Sequence, residues 1–237
     1  MTIASLHPTV RLVNGILAIK PIAALAKQRA RTMMIKRAES IGVYWHDEVK
    51  TLQTRGDKDP FSPQWQRDLA QIQNPDLTYP DYYLRSFHAY DEGNLGWEPA
   101  MEVEVAAHAV HARIWEDGGA QGDARLRQSY HKILQAAIAT PPQAILDIGC
   151  SVGMSTFALQ QVYPAARITG VDLSPYFLAI AQYRAHQSGH SPEIAWCHSA
   201  AEATQLPSAS VDLVSAHLVF HELPQSAAIA VLHEARR

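Results

Sequence analysis

The sequence predicts an α/β protein, with a mostly parallel sheet of four strands, wound with helices on both faces, behind a helical N-terminal region. Three observations predict it. From residue 144 onward, short apolar runs alternate with segments of helical periodicity, the rhythm of a parallel sheet. A turn bearing Gly149 and Gly153 joins the first strand to the next helix. Upstream, apolar residues recur at helical spacing with Arg and Lys between them.

The elements follow in order. Residues 9–55 read as helical, with Met33, Met34, Ile35, Ile41, Val43 and Val49 roughly on one face. Pro21 suits the start of a helix rather than its interior. Residues 56–100 are richer in Pro, Asp, Gly and aromatics and read as ordered loop with short helical turns. Within them, Tyr82, Tyr83, Phe87, His88, Tyr90, Asp91 and Trp97 form an aromatic stretch, 79–97, suited to lie over a substrate or to pack between helices and sheet. Residues 101–115 read as helix and 117–122 as a break. Residues 125–140 form a further helix that Pro141 and Pro142 stop. Strands are predicted at 144–148, 167–172, 193–198 and 211–216, and helices at 155–163, 175–188 and 224–237. This divides the chain into a helical extension, 1–125, and a ligand-binding domain, 126–237.

Composition narrows the class. Of 237 residues, 47% are apolar and 18% charged, enough to bury a core. The net charge of -3 gives no basic excess of the nucleic-acid-binding kind. Residues 1–40 nevertheless hold seven of the 20 Lys and Arg (Arg11, Lys20, Lys27, Arg29, Arg31, Lys36, Arg37) and one of the 23 acids, leaving 13 against 22 elsewhere. A basic amphipathic head on an acidic body suits peripheral contact with an anionic membrane. A solvated helix face explains the same pattern. Two cysteines, Cys150 and Cys197, suggest no disulfide framework and fit a reducing, cytoplasmic setting. No apolar run reaches 18 residues, so no spanning helix is expected.

The chemistry lies in 144–156, Ala-Ile-Leu-Asp-Ile-Gly-Cys-Ser-Val-Gly-Met-Ser-Thr. A buried strand carrying Asp147 runs into a glycine loop and then a helix. The loop lacks the G-x-G-x-x-G spacing of dinucleotide sites, which disfavours a nicotinamide oxidoreductase. A carboxylate at Asp147 suits an ammonium group and repels a pyrophosphate. The second strand ends in Asp172, 19 residues past Gly153, where a carboxylate accepts hydrogen bonds from both ribose hydroxyls. A ligand joining an amino-acid tail to a nucleoside meets both demands, and S-adenosylmethionine is that ligand.

From residue 144 to 237 the chain resembles the class I S-adenosylmethionine-dependent methyltransferases, whose fold is Rossmann-like. Asp147, Gly149, Ser151 and Gly153 fall on the motif D-x-G-x-G-x-G, with Ser151 replacing the middle glycine. That replacement is tolerable if residue 151 has an ordinary φ. The resemblance implies S-adenosyl-L-methionine as cofactor, held by Asp147, Gly149, Cys150, Ser151, Gly153, Asp172 and Leu173. It also implies adenine contacts from Ala201 or Glu202, and a contact from His217 after the fourth strand. His217, His221 and Glu222 become the candidate catalytic residues, facing the methyl, with His221 as the first choice of base. His217 and His221 stand four apart, but H-E-x-x-H is absent and no metal is expected. The implied acceptor is a small molecule, not nucleic acid. The resemblance stops inside the helix after strand four, so the domain is expected to be incomplete at its C-terminus, with strand four at an edge. A protein that binds the cofactor but needs a partner or further strands for turnover is the alternative.

Overall fold

A computed structural model describes residues 20–85, 90–189 and 194–237, with side chains from residue 24 onward. Residues 9–19 of the expected first helix, Phe87 and His88 of the aromatic stretch, and residue 193 lie outside the described residues.

The N-terminal region holds α1 (Lys20–Ser40), α2 (Trp45–Thr54), α3 (Gln64–Ile72) and α4 (Trp97–His111). Pro21 lies in the first turn of α1, where its missing N–H has no intrahelical partner to lose. Gly42, at φ +82°, breaks the expected continuous helix between α1 and α2. The third helix falls where loop was expected. Its sequence is mostly polar, but Trp65 and Leu69, four apart, are buried and fasten it to the core. The fourth helix starts four residues earlier than expected, because Pro99 fits within its first turn.

A short 3₁₀ turn (Gly119–Gln121) leads into α5 (Gly122–Ala137). Then come β1 (Ala144–Ile148), α6 (Met154–Val162), β2 (Arg167–Asp172), α7 (Pro175–Ser188), β3 (Ile194–His198), β4 (Leu213–Ser215), a 3₁₀ turn (Phe220–Glu222) and α8 (Gln225–Arg236). The sheet order is β3-β2-β1-β4 and every pairing is parallel. The two central strands, β1 and β2, are the most buried, and β4 stands at an edge as expected. That fourth strand is three residues long rather than six.

Both sheet faces are covered. On one, Ile145, Ile168 and Leu159 pack together; on the other, Leu146, Ile148, Val171 and Val231 do. Full burial of such side chains is worth about 1.5–3 kcal/mol each. The helical region is fastened to the sheet domain by a shared cluster in which Trp65, Ala100 and Met101 meet Val152, Phe177 and Ile180. Trp97 belongs to this packing, 5.5 Å from the Trp65 ring and 5.0 Å from Tyr176. Ser174 caps α7 by accepting from the Phe177 amide and donating to the Asn94 carbonyl. Among the described residues, no helix is long and apolar enough to cross a membrane.

Candidate functional site

The parallel sheet brings the carboxyl ends of its strands to one edge, where wound α/β sheets place their ligands. Asp147, Asp172 and His198 end up there, in the last two positions of β1, β2 and β3.

The loop after β1 alternates in conformation: Gly149, Ser151 and Gly153 have φ of +65°, +52° and +86°. The condition of an ordinary φ at Ser151 is therefore not met. A serine holds a left-handed conformation that glycine adopts without strain. The backbone explains why it stays there. The Ser151 amide donates to Asp172 Oδ2 (2.9 Å), while the Gly149 and Cys150 amides both donate to the Val171 carbonyl. With the Gly153 amide bonded to the Cys150 carbonyl, these four loop amides are all used within the chain. A phosphate-binding loop would leave such donors free. Acceptors are left open instead: Ser151 Oγ in this loop and Glu202 Oε2 in the segment after β3 are buried without a partner among the described residues.

Asp172 is 9% exposed, and its carboxylate also accepts the Ser174 amide on Oδ1 (2.8 Å). Burial, with a small addition from Glu222, lifts its pKa to about 6 against the pull of those donors. Asp147 is fully buried, and its Oδ2 accepts the Ser155 and Thr156 hydroxyls at 2.7 Å each. That oxygen ties the strand to the first turn of α6, and Oδ1 has no partner among the described residues. Burial lifts its pKa, too, to about 6. Cys150 and Leu173 are buried beside these loops, and Ala201 packs against the Val171 face of the sheet.

Residues 79–83 lie on the same edge. The Tyr79 hydroxyl is 3.1 Å from His198 Nε2, and Tyr82 donates to Glu202 Oε1 at 2.5 Å. His198 Nδ1 accepts the Asn74 amide, so its proton sits on Nε2, 3.0 Å from the Leu173 carbonyl. The aromatic stretch thus divides. Tyr79, Tyr82 and Tyr83 meet the strand ends, whereas Tyr90 donates to Glu102, Asp91 pairs with Lys27, and Trp97 is core packing.

Residues 145–237 match the family model of the methyltransferase domain. This segment is similar to methyltransferase domains, and the match covers less than half of the chain. A malonyl-[acyl-carrier protein] O-methyltransferase of Anoxybacillus flavithermus is 35% identical over 83 residues, 35% of this chain and 30% of that protein. A trans-aconitate 2-methyltransferase of Escherichia coli is 55% identical over 38 residues, 16% and 15% of the two lengths. The chain thus spans less than a third of these curated relatives. The magnesium protoporphyrin IX methyltransferase of Synechocystis, solved with bound SAM, superposes with a TM-score of 0.41 at 23% identity, covering 49% of this chain and 54% of that one.

Beside the glycine loop, Arg127 reaches Met154 Sδ at 3.8 Å and belongs to a polar cluster that the sequence did not single out. Arg127 of α5 binds Asp123 through Nε (2.9 Å) and a terminal nitrogen (3.2 Å), and Asp123 takes His111 Nδ1 at 2.7 Å. Despite burial, these partners hold the Asp123 carboxyl well below the usual carboxylate range. Arg127 also donates toward His217 Nδ1 at 3.4 Å, and the Tyr130 ring lies 5.1 Å from that imidazole. Burial first, then Arg127, lowers the His217 pKa to about 4, so the ring is neutral near pH 7. His221 and Glu222 sit in the 3₁₀ turn beyond, both exposed, 3.7 Å apart. Of the three candidate catalytic residues, only His217 joins the cluster. One clue was available. Asp123 and Arg127 are spaced i, i+4 at the start of a predicted helix. Their meeting with His217, 90 residues later in the case of Arg127, was not readable.

Proposed function

We propose that residues 126–237 form an S-adenosyl-L-methionine-dependent methyltransferase domain acting on a small-molecule acceptor, with residues 1–125 as a helical extension packed on it. The observation that carries this reading is Asp172, a carboxylate at the end of β2 that is set beside a glycine loop by two backbone amides. The unpaired Ser151 and Glu202 oxygens fit a ligand rich in donors, as a nucleoside with an amino-acid tail is.

When bound, that cofactor supplies a sulfonium methyl already attached to a good leaving group. The chain's own residues would bind and align. Asp172 accepts from the ribose hydroxyls. Glu202 Oε2 and the backbone beside Ala201 face the adenine edge. Gly149 and Gly153 keep side chains away from the loop's approach, and Cys150 and Leu173 wall it. Asp147 positions the loop by holding α6. His217, kept neutral, contacts the transfer region beside Arg127. His221, next to Glu222, takes a proton where the acceptor must lose one. Most of the rate then comes from alignment and exclusion of water.

Calorimetric titration with S-adenosylhomocysteine tests the reading. We expect micromolar binding that weakens at least tenfold in Asp172→Ala, since charge-assisted bonds contribute about 1.5–3 kcal/mol each. No binding by a well-folded protein would sink it.

The outward face of α1 supports a second contact. Lys27 and Arg31, on its packed side, pair with Asp91, Glu98 and Glu102. Arg29, Lys36 and Arg37 line a groove with Arg113 and the exposed Leu25 and Met33, and no ion pair joins those four cations to an acid among the described residues. This pattern suits the surface of an anionic bilayer. Flotation with phosphatidylglycerol vesicles should carry the protein, flotation with phosphatidylcholine should not, and an Arg29→Glu/Lys36→Glu variant should stay behind. Two unpaired cysteines support a reducing, cytoplasmic setting.

A further inference from the structure

The loop after β4 reaches the same edge as the glycine loop. β1 and β4 run in parallel register, with Asp147 against Ser215. His217 lies two residues past that pair, as Gly149 does. The two loops are in contact: a Cβ placed on Gly149 would meet Val219 Cγ2 at 2.6 Å. Arg127 spans them, with one terminal nitrogen 3.4 Å from His217 Nδ1 and the other 3.8 Å from Met154 Sδ at the head of α6. The His217 ring is half-buried, and among the described residues no hydrogen bond reaches its Nε2.

The partner on Nδ1 settles the chemistry of this ring. A guanidinium has donors only and keeps its charge throughout the pH range of folded proteins. Opposite it, Nδ1 must offer a lone pair, so the ring proton sits on Nε2. A second proton would set N–H against N–H and one cation against another. The groups around the ring come from two helices. Arg127, Tyr130, His131 and Asp123 belong to α5, and His111 ends α4. The Tyr130 hydroxyl turns to Ser215 Oγ, 3.1 Å away. Asp123 is the carboxylate of the group, and it is spent on Arg127 and on His111 Nδ1. It therefore holds Arg127 in place and leaves His217 to the guanidinium. The frame behind this chain is tight, because a Cβ on Gly122 would run into the His111 carbonyl oxygen.

We infer that Arg127 fixes His217 as an Nε2–H donor, and that His217 gives a hydrogen bond to an oxygen of the methyl acceptor instead of taking a proton from it. This rests on the methyltransferase reading above. The class of acceptor narrows with it. A carboxylate, carbonyl or phenolate oxygen offers the lone pair that Nε2–H needs, and an ammonium group offers none. Proton removal, where the acceptor requires it, falls to a group other than His217. Arg127 is a positioning residue, because it acts through the imidazole. Asp123 positions Arg127 in turn, and His111 brings the helical extension into the same chain of contacts.

Nitrogen-15 spectra of the histidine rings test the inference, with His217→Asn identifying the His217 signals by their loss. In the wild type at pH 7, Nε2 is expected to carry the proton and Nδ1 none, with protonation of the ring only near pH 4. Arg127→Met should give a mixture of tautomers and a midpoint that rises toward the ordinary 6.5. Arg127→Lys, which keeps a charged donor, should retain the Nε2–H form. With S-adenosylhomocysteine bound, benzoate should shift the Nε2–H signal and benzylammonium should leave it in place. An Nδ1–H tautomer or a charged ring in the wild type at pH 7 would overturn the inference, and that spectrum needs no variant to fold. An unchanged spectrum in folded Arg127→Met would overturn the part given to Arg127. No response to benzoate, or an equal response to benzylammonium, would overturn the contact with an acceptor oxygen. The tautomer is read without cofactor. Failure of the folded wild type to bind S-adenosylhomocysteine would therefore remove the methyltransferase reading and the acceptor contact, and leave the pairing of Arg127 with His217 standing.

Discussion

Asp147 and Asp172 stand in the closing residues of neighbouring strands, and the chain treats them in opposite ways. Both are buried, and in both burial raises the pKa to about 6. Asp147 is fully enclosed and is satisfied on one oxygen by two side-chain hydroxyls from α6. Asp172 keeps 9% of its surface and is held by two backbone amides, one on each oxygen. The first carboxylate ties β1 to α6 through one oxygen, while its other oxygen is unpartnered among the described residues. The second takes one loop amide on each oxygen. Position at the end of a strand does not decide which role a carboxylate takes. The identity of its donors does.

The largest expected difference between them is in ligand binding. Replacing Asp172 should weaken S-adenosylhomocysteine at least tenfold, whereas Asp147→Asn, which keeps an acceptor for both hydroxyls, should change affinity far less. Equal losses would break the comparison.

Next comes the dependence of stability on pH. A buried carboxyl whose folded pKa is raised stabilises the fold in its protonated form. That contribution is fully present below the unfolded pKa near 3.8 and is lost as pH rises through about 6. Asp147→Asn has no such titration. Urea unfolding at pH 4 and pH 8 should therefore move in the variant's favour by roughly 3 kcal/mol between the two, from two pKa units at 1.36 kcal/mol each. Asp172→Asn should show a swing of the same sign. A flat difference for either would mean that its carboxyl is better solvated than its burial implies.

The smallest effect concerns the loop that joins the two. Ser151→Gly should stabilise the protein by roughly 1 kcal/mol, read as a shift in the unfolding midpoint, because φ +52° is costly for any residue with a Cβ. Destabilisation would show that the Ser151 hydroxyl, unpaired among the described residues, has a packing role that outweighs the strain.

Much of the sheet domain was legible before any coordinates. The limits of β1, β2 and α7 fall where apolar runs, Pro175 and the flanking polar residues place them. The glycine loop and Asp172 were legible too, because their spacing along a strand–turn–helix unit is itself the geometry. What failed to show is of another kind. The third helix is polar except for two residues whose burial depends on Trp97 and Tyr183, whose rings lie 5.5 and 5.2 Å from that of Trp65. The left-handed Ser151 follows from a bond to Asp172 across 21 residues. The polar cluster around Arg127 and the two phenols bonded to His198 and Glu202 depend on partners about 90 to 120 residues away.

By itself, the sequence determined the order of strands and helices, the glycine loop and the presence of a carboxylate after each of the first two strands, because local periodicity and spacing encode them. Only the tertiary structure decided that Asp147 bonds the first turn of α6, that Asp172 accepts an amide from each of two loops, and that Tyr79 and Tyr82 from the other half of the chain meet His198 and Glu202. Burial and hydrogen-bond partners are properties of packing between distant segments, and no local pattern contains them.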